Sequence, residues 1–426
     1  MDKINNKINE FIERLRMVVP FYGFTSHAIE LIFIKYMSNY TRISSEDDFK
    51  TILAFKNMFI EKKYNPSLVN DVLKMVERNY DIEYRLLDTV TNDLNEIFKN
   101  DRDEEVIFQV LNSFELPSNQ EEMACLIESI IINGEGKDVL RTAQSSTSTS
   151  LIKLVNKILD IRENEIYMNS FAGFSKAALN VNPRYYIGYE INREACTISN
   201  LVMILLDKCS FNVYNQDYYL IDNKSIADKV FSDGPFGTAL NTEEYYFLKQ
   251  ENKKSEYFNI KKAFESLKEN GLAAVLVPSG TLFKIEFTKL RKEYSNGYLK
   301  AVISLPSLLR TTAVTVNLVI LQKSINSNVI MVDASTNDYC NKYDKRNIEL
   351  SDEAVDKIMK ALNGEIIDNF STIIKCDDIL KNEDMSWLPA HYIKKKIDVN
   401  FRASTDIKKE LNETYKQLIE LLNKEN

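Results

Sequence analysis

Several features that mark secreted or membrane-spanning proteins are missing from this sequence of 426 residues. Its five cysteines are odd in number and never lie closer together than 13 residues, which excludes a disulfide framework and a zinc knuckle. The first ten residues, MDKINNKINE, contain no apolar signal core, and charges interrupt the richest apolar stretches well before 18 residues. We therefore expect a cytoplasmic protein that has no contact with a membrane and no metal site.

An excess of positive charge is also missing. The 54 lysines and arginines are outnumbered by 62 acidic residues, and the net charge of −8 speaks against a chain that coats nucleic acid by charge alone. With 11 glycines, 8 prolines and 44% hydrophobic residues, the chain is neither low in complexity nor disordered throughout. Its length allows two or three globular domains.

The chain changes its pattern twice. Residues 1–137 show helical periodicity, broken near Pro20, Pro66 and Pro117, and predict an N-terminal helical domain. The polar run 145–150 supplies hydroxyls that could cap a helix beginning near Leu151, although a plain linker is the alternative.

Short apolar runs then alternate with helical stretches, which favours a mostly parallel sheet covered by helices in residues 138–335. Six of the 11 glycines lie between Gly173 and Gly280, mostly at the carboxyl ends of predicted strands, the edge at which open α/β sheets bind ligands. After a strand at 328–333 the pattern turns loop-like, so residues 336–403 are predicted to be an extension. The predicted strands are 165–169, 185–190, 211–214, 229–232, 273–277, 301–304, 316–321 and 328–333.

The last segment, residues 404–426, carries a narrow apolar stripe at helical spacing. The stripe consists of Ile407, Leu411, Tyr415, Leu418 and Leu422. Such a stripe suits a coiled-coil partner, self-association into a homodimer, or packing against the chain itself.

The first candidate site is the turn after the strand at 165–169. Gly173 can let the backbone approach a ligand closely, and Ala177 to Leu179 are predicted to continue as a helix. A dinucleotide fingerprint needs three glycines, and this turn has one, so a nicotinamide-dependent oxidoreductase is nearly excluded. An ordinary strand-to-helix turn is the alternative when the turn is judged alone.

Two acids extend this candidate site. Glu190 ends the next predicted strand, 17 residues after Gly173, close to the usual separation for an acid that accepts both ribose hydroxyls of a nucleoside. Asp217 follows the third strand, where a carboxylate could accept from an adenine amino group.

The most informative run is a hydrophobic strand followed by Asp233, Gly234, Pro235 and Phe236. Methylation of an exocyclic amine needs acceptors that draw the amine lone pair out of the base and a ring that orients the base. The Asp233 carboxylate and the Gly234 carbonyl can be those acceptors, and Phe236 can stack on the base. An ordinary turn is the alternative for this tetrapeptide alone.

These residues resemble the amino-methylating DNA methyltransferases, in particular the modification (M) subunits of type I restriction-modification systems, over residues 145–333. The family's motif Asp-Pro-Ala/Phe-Cys/Ala-Gly-Ser-Gly falls on residues 169–175, its motif Asn/Asp-Pro-Pro-Phe/Tyr on residues 233–236, and its Thr-Pro on residues 147–148. The sequence departs from these motifs at Asn169, Ser175 and Gly234.

The resemblance implies a Rossmann-like α/β methyltransferase domain with an N-terminal all-helical domain and a C-terminal helical tail. It implies adenine-specific methylation of double-stranded DNA with S-adenosylmethionine, beside a specificity (S) subunit; a restriction (R) subunit is a further candidate partner. The residues so assigned to cofactor binding are Thr147, Asn169, Phe171, Ala172, Gly173, Glu190 and Asp217, and those assigned to catalysis are Asp233, Gly234, Pro235 and Phe236. The departures leave open a non-catalytic scaffold with the same fold, and a protein glutamine methyltransferase fits less well.

Overall fold

A computed structural model of the chain describes residues 2–20, 22–43, 45–83, 85–134, 147–208, 210–240, 253–309, 314–342, 348–394, 408 and 411–415. Residues 1–393 form one compact unit, and residues 394–426 form a second. The predicted boundary between residues 137 and 138 lies outside the described residues, and the boundaries predicted after residues 335 and 403 stay predictions.

The N-terminal part is helical, as the periodicity predicted. Side chains cap several helix starts: Ser45, Asn65 and Asn100 each accept a hydrogen bond from a backbone N–H of the first turn, and Asn65 does so directly before Pro66. The second helix is buried on nearly every side, from Phe24 to Met37 with Tyr36 half-buried. The helices are α1 (Asp2–Val18), α2 (Phe24–Met37), α3 (Glu46–Glu61), α4 (Pro66–Asn79), α5 (Leu87–Ile97), α6 (Asp101–Asn112) and α7 (Gln120–Gly134).

Strands and helices alternate from residue 149 onward. The helices are α8 (Thr149–Leu159), α9 (Arg193–Leu205), α10 (Ser255–Ser266), α11 (Gly280–Phe283), α12 (Thr288–Ser295), α13 (Asp352–Leu362) and α14 (Cys376–Leu380). The strands are β1 (Ile166–Asn169), β2 (Tyr185–Tyr189), β3 (Phe211–Tyr214), β4 (Ala227–Ser232), β5 (Leu267–Pro278), β6 (Leu299–Ser304), β7 (Val316–Gln322), β8 (Asn328–Asp333), β9 (Cys340–Lys342), β10 (Ile348–Leu350) and β11 (Ser371–Lys375).

Within the described residues the main sheet has nine strands, in the order β11-β8-β6-β7-β5-β4-β1-β2-β3. The run from β3 through β2, β1 and β4 to β5 is parallel, whereas β7 is antiparallel to both β5 and β6. The strand order reverses at β1, which lies between β2 and β4. Such a switch point opens a crevice at the carboxyl ends of the strands.

Both faces of the sheet are buried. Neighbouring residues of one strand belong to different cores, since Tyr167 packs with the N-terminal helices and α8, and Met168 packs with α10 and α12. This arrangement is the alternation of side chains expected for a parallel sheet between two helical layers. In the ranges described above, no helix combines the length and the apolar character needed to cross a membrane.

Most predicted strands are confirmed to within a few residues, and the predicted cap is confirmed because the Ser148 hydroxyl accepts from the Leu151 N–H. Two expectations were wrong. Ala177 and Ala178 form only a short 3-10 turn, Lys176–Ala178, which follows Ser175 in a left-handed conformation (φ 55°). The loop-like stretch after Asp333 contains β9, β10, α13, β11 and α14, and β11 pairs with β8 at the edge of the main sheet.

Candidate active site

The turn after β1 is shaped by backbone hydrogen bonds at the switch point. The Asn169 side-chain oxygen accepts from the Phe171 N–H at 3.2 Å, and the Ala172 N–H donates to the Tyr189 carbonyl at 2.7 Å. Gly173 then takes a positive φ of 53°, a conformation that favours glycine. Asn169 and Ala172 are buried, so they act on the site by shaping this turn, while Phe171 and Gly173 are half-buried.

Glu190 ties the turn to the end of β2. Its two carboxylate oxygens accept from the Gly173 N–H at 2.9 Å and from the Asn192 N–H at 2.8 Å. Burial raises the pKa of Glu190, and the backbone donors partly oppose that rise. The carboxylate therefore lies at the predicted turn, with lone pairs that can accept hydroxyl groups of a ligand.

Asp217 follows the end of β3, the strand that pairs with β2 in the sheet. Its side-chain oxygen accepts from the Tyr219 N–H at 2.9 Å and caps the 3-10 helix at Tyr218–Leu220. The carboxyl ends of β1, β2 and β3 meet at one edge because the three strands are parallel. The structure thus brings the predicted turn, Glu190 and Asp217 to the same edge of the sheet.

Asp233 follows β4, and β4 pairs with β1 on the side of β1 opposite β2. The hydroxyl of Thr147 donates to an oxygen of the Asp233 carboxylate, and the Thr147 carbonyl accepts from Lys176 Nζ at 3.0 Å. Burial raises the pKa of Asp233 to about 6, while the hydrogen bond from Thr147 lowers it. Thr147, predicted at the cofactor, is therefore bonded to the predicted catalytic acid.

Gly234 occupies a position with no room for a side chain. A Cβ atom at residue 234 would lie 2.6 Å from both side-chain polar atoms of Asn259 and 2.6 Å from the Phe171 ring. Phe171 belongs to the β1 turn, so the turn and the loop after β4 are in direct contact. The departure from proline at this position has a structural reason, because the Cβ of a proline would overlap both neighbours.

Pro235 is exposed and Phe236 is half-buried, with part of its ring against the core. The start of α10 holds this part of the loop. The Pro235 carbonyl accepts from Ser255 Oγ at 2.8 Å and from Asn259 Nδ2 at 3.4 Å. The Gly237 N–H donates to Glu256 Oε1 at 2.6 Å.

Sequence reasoning missed Ser255, Glu256 and Asn259, as well as Tyr219, whose hydroxyl donates to Asn259 Oδ1 at 2.7 Å. The available signal was weak: polar residues at the start of a helix that also carries apolar ones. Ser175, the third departure, is fully buried and makes hydroxyl contacts with Tyr186 and Ser199, so its side chain packs away from the crevice.

A family model described as N-6 DNA Methylase matches residues 134–398. A type I restriction-modification methyltransferase subunit from Streptococcus thermophilus shares the fold with a TM-score of 0.73 at 16% identity, covering 93% of this chain and 100% of that one. A protein from Vibrio vulnificus, assigned as a type I modification subunit, has a TM-score of 0.62 at 11% identity and covers 90% and 95% of the two chains.

A third solved structure, assigned to the class I S-adenosylmethionine-dependent methyltransferases of Listeria monocytogenes, has a TM-score of 0.51 at 16% identity. It covers 72% of this chain and 99% of its own. No curated protein matches the chain in sequence. At these identities the solved structures establish the fold that the residues predicted.

Proposed function

Since this chain belongs to the N-6 DNA methylase family, we propose that it transfers a methyl group from S-adenosylmethionine to the exocyclic amino group of adenine in double-stranded DNA. One observation carries the proposal. Phe171 of the β1 turn touches Gly234 of the loop after β4, which joins the predicted cofactor turn and the predicted catalytic loop into a single site.

The residues present fit the cofactor by their chemistry. Glu190 and Asp217 offer carboxylate oxygens at the ends of β2 and β3, suited to ribose hydroxyls and to an adenine amino group. Gly173, with its positive φ, brings backbone rather than a side chain to the crevice. When bound, S-adenosylmethionine supplies an electrophilic methyl group on a sulfonium.

Asp233 and the Gly234 carbonyl accept the two hydrogens of the target amine and draw its lone pair away from the aromatic ring. Bound S-adenosylmethionine would supply the methyl carbon to the N6 atom, and its sulfur would keep the electron pair of the broken carbon–sulfur bond. The amine then gives up one proton, which the ionised Asp233 carboxylate can accept before passing it to solvent. Phe236 stacks on an adenine that has left the duplex and holds its orientation.

We further propose a type I modification complex as the setting. Because the net charge of the chain is −8, we assign recognition of the DNA sequence to a partner, the specificity subunit. The apolar stripe of the C-terminal tail is the surface proposed to bind it. In the tail, residues 411–415 are helical, and Leu411 and Tyr415 are 70% and 65% exposed. The other three stripe residues, Ile407, Leu418 and Leu422, lie outside the described residues. A restriction subunit would join such a complex, and a second copy of this chain is another candidate for the stripe.

The test is transfer of a labelled methyl group to mixed DNA, with and without the neighbouring gene's product. We expect label in adenine with the complete complex, and none with the Asp233→Ala variant. A second candidate is a non-catalytic scaffold, favoured by the departure from the family's acid at Asn169. Calorimetry separates the two, because a scaffold would bind no S-adenosylmethionine, whereas the proposed enzyme binds it even without DNA.

A further inference from the structure

The carbonyl of Pro235 receives two side-chain hydrogen bonds from one helix. Ser255 donates at 2.8 Å and Asn259 at 3.4 Å, one helical turn apart at the start of α10. A single carbonyl with two donors is fixed in direction, because both lone pairs are engaged. The peptide that joins Pro235 to Phe236 is therefore held against α10.

The donors are themselves buried and oriented. Ser255 and Asn259 are both fully buried, and the amide of Asn259 is held by the Tyr219 hydroxyl, which donates to Oδ1 at 2.7 Å. Because Oδ1 accepts this bond, Nδ2 of Asn259 is the atom that donates to the Pro235 carbonyl. Two residues on, the Gly237 N–H donates to the buried carboxylate of Glu256 at 2.6 Å. We name these four residues, Tyr219, Ser255, Glu256 and Asn259, the loop clamp.

The loop clamp also explains the glycine at residue 234. A Cβ atom on residue 234 would lie 2.6 Å from the side-chain amide of Asn259. Because Asn259 anchors the loop at Pro235, the preceding residue must be a glycine. A glycine would otherwise loosen the loop, since it is the residue with the most backbone freedom to lose. The clamp supplies from α10 the restraint that the backbone lacks.

The clamp reaches the cofactor side of the crevice as well. Tyr219 belongs to the 3-10 helix that Asp217 caps. The centroid of its ring lies 5.6 Å from the centroid of the Phe171 ring in the β1 turn. The same tyrosine thus contacts the predicted cofactor turn by its ring and the loop anchor by its hydroxyl.

We propose that Tyr219, Ser255, Glu256 and Asn259 are positioning residues, which hold the Asp233–Gly237 loop in the geometry that methyl transfer requires. The proposal rests on the proposed function. A target amine must meet its acceptors within a fraction of an ångström, and a misplacement of 1 Å can cost about 100-fold in rate.

The test compares two neighbouring tyrosines in the complete complex with its DNA. Tyr219→Phe removes the hydroxyl that orients Asn259 and keeps the ring. Tyr218→Phe is the matched control. It also removes a buried hydroxyl from a ring that packs near Phe171, but that hydroxyl bonds Ser266 at 3.1 Å and interacts with Ser170, neither of which belongs to the loop after β4. We expect Tyr219→Phe to lower kcat about tenfold with KM for both substrates changed less than about twofold, because a loop displaced by part of an ångström loses rate rather than binding. Tyr218→Phe should stay near the wild-type kcat.

Hydrogen exchange of peptides that cover residues 233–237 is the second readout. Exchange at the Gly237 amide should be faster in Asn259→Ala and in Tyr219→Phe than in the wild type, and unchanged in Tyr218→Phe. Equal losses of kcat in the two tyrosine variants would overturn the proposal, because any lost buried hydroxyl would then have the same effect. A wild-type kcat in Tyr219→Phe would overturn it too. Tyr219→Phe carries the test alone if Asn259→Ala does not fold.

The two proposals fail separately. A wild-type complex that transfers no methyl group would refute the proposed function and leave hydrogen exchange to decide whether the clamp holds the loop. Methyl transfer that is normal in the wild type and insensitive to Tyr219→Phe would refute the clamp alone.

Discussion

The Thr147 hydroxyl opposes the effect of burial on the pKa of Asp233, and the Thr147→Val variant tests the size of that effect. The hydroxyl donates to the Asp233 carboxylate, and burial raises the pKa of Asp233 to about 6 in spite of this bond, which lowers it. Valine is close to threonine in size and removes the donor. We expect the Asp233 pKa to rise further, because the ionised form loses its partner while the burial remains.

The size of the shift follows from the strength of the bond. A hydrogen bond to a charged group contributes about 1.5–3 kcal/mol, and one pKa unit corresponds to about 1.4 kcal/mol, so the pKa should rise by about 1 to 2 units. The ionised carboxylate is the form that accepts from the target amine. Activity is therefore lost as the pH falls through about 6 in the wild type, and through about 7 to 8 in Thr147→Val.

The assay is the single-turnover rate of methyl transfer in the complete complex between pH 5 and 9. Thr147→Ser is the matched control, since it keeps the hydroxyl and should keep the wild-type profile. Asp233→Asn retains an oxygen acceptor without the titrating group, and the acidic limb should disappear. A Thr147→Val profile that superimposes on the wild type would refute the reasoning, and an acidic limb that persists in Asp233→Asn would assign the titration to another group.

Three other substitutions and one deletion give direct expectations. Glu190→Ala should weaken S-adenosylmethionine binding in calorimetry by about 2–4 kcal/mol, because it removes two charge-assisted hydrogen bonds to the ligand; unchanged affinity would contradict the cofactor placement. Phe236→Ala should keep the melting temperature within a few degrees, as expected for a half-buried loop residue, and lose most methyl transfer; a wild-type rate would show that the ring does not hold the base. Gly234→Ala should cost about 1–3 kcal/mol of stability in denaturant titration by overpacking, whereas the control Gly280→Ala meets chiefly the flexible end of a lysine; equal costs would refute the packing argument. Deletion of residues 404–426 should leave cofactor binding intact and abolish co-purification with a specificity subunit, and a truncated chain that still assembles would show that the stripe serves only this chain.

The strands and the edge that carries the site could be predicted because both depend on local pattern. A strand such as β3 is a short apolar run between polar breaks, and its predicted and observed limits coincide at Phe211 and Tyr214. The acid at the end of β2 was found by its spacing from Gly173, since successive parallel strands end at one edge of the sheet. Predictions of this kind need only the chain within some 20 residues.

The contacts that organise the site could not be predicted, because they join residues far apart in the chain. The bond from Thr147 to Asp233 spans 86 residues, and that from Tyr219 to Asn259 spans 40. No periodicity encodes either pair. Among the elements missed after Asp333, β11 is five residues long and depends on the distant strand β8 for its hydrogen bonds, whereas β9 and β10, three residues each, pair with each other. Strands of three residues are too short to show a period-2 alternation.

The burial of α2 has a consequence for how the chain is made. The helix ends at Met37, yet part of its cover is α9, which ends at Leu205, and Ser26 of α2 bonds to Glu194 of α9 at 2.8 Å. Synthesis at about 5–20 residues per second leaves roughly 10 to 30 s between the two segments leaving the ribosome. Throughout that interval the side chains of α2 that face α9 lack their native neighbours, although α3, α5, α6 and α7 can already cover the rest of the helix. The nascent chain should therefore depend on a holding chaperone early in its synthesis, and a ribosome-bound fragment that ends before α9 should aggregate or recruit such a chaperone, whereas one that extends beyond β5 should not.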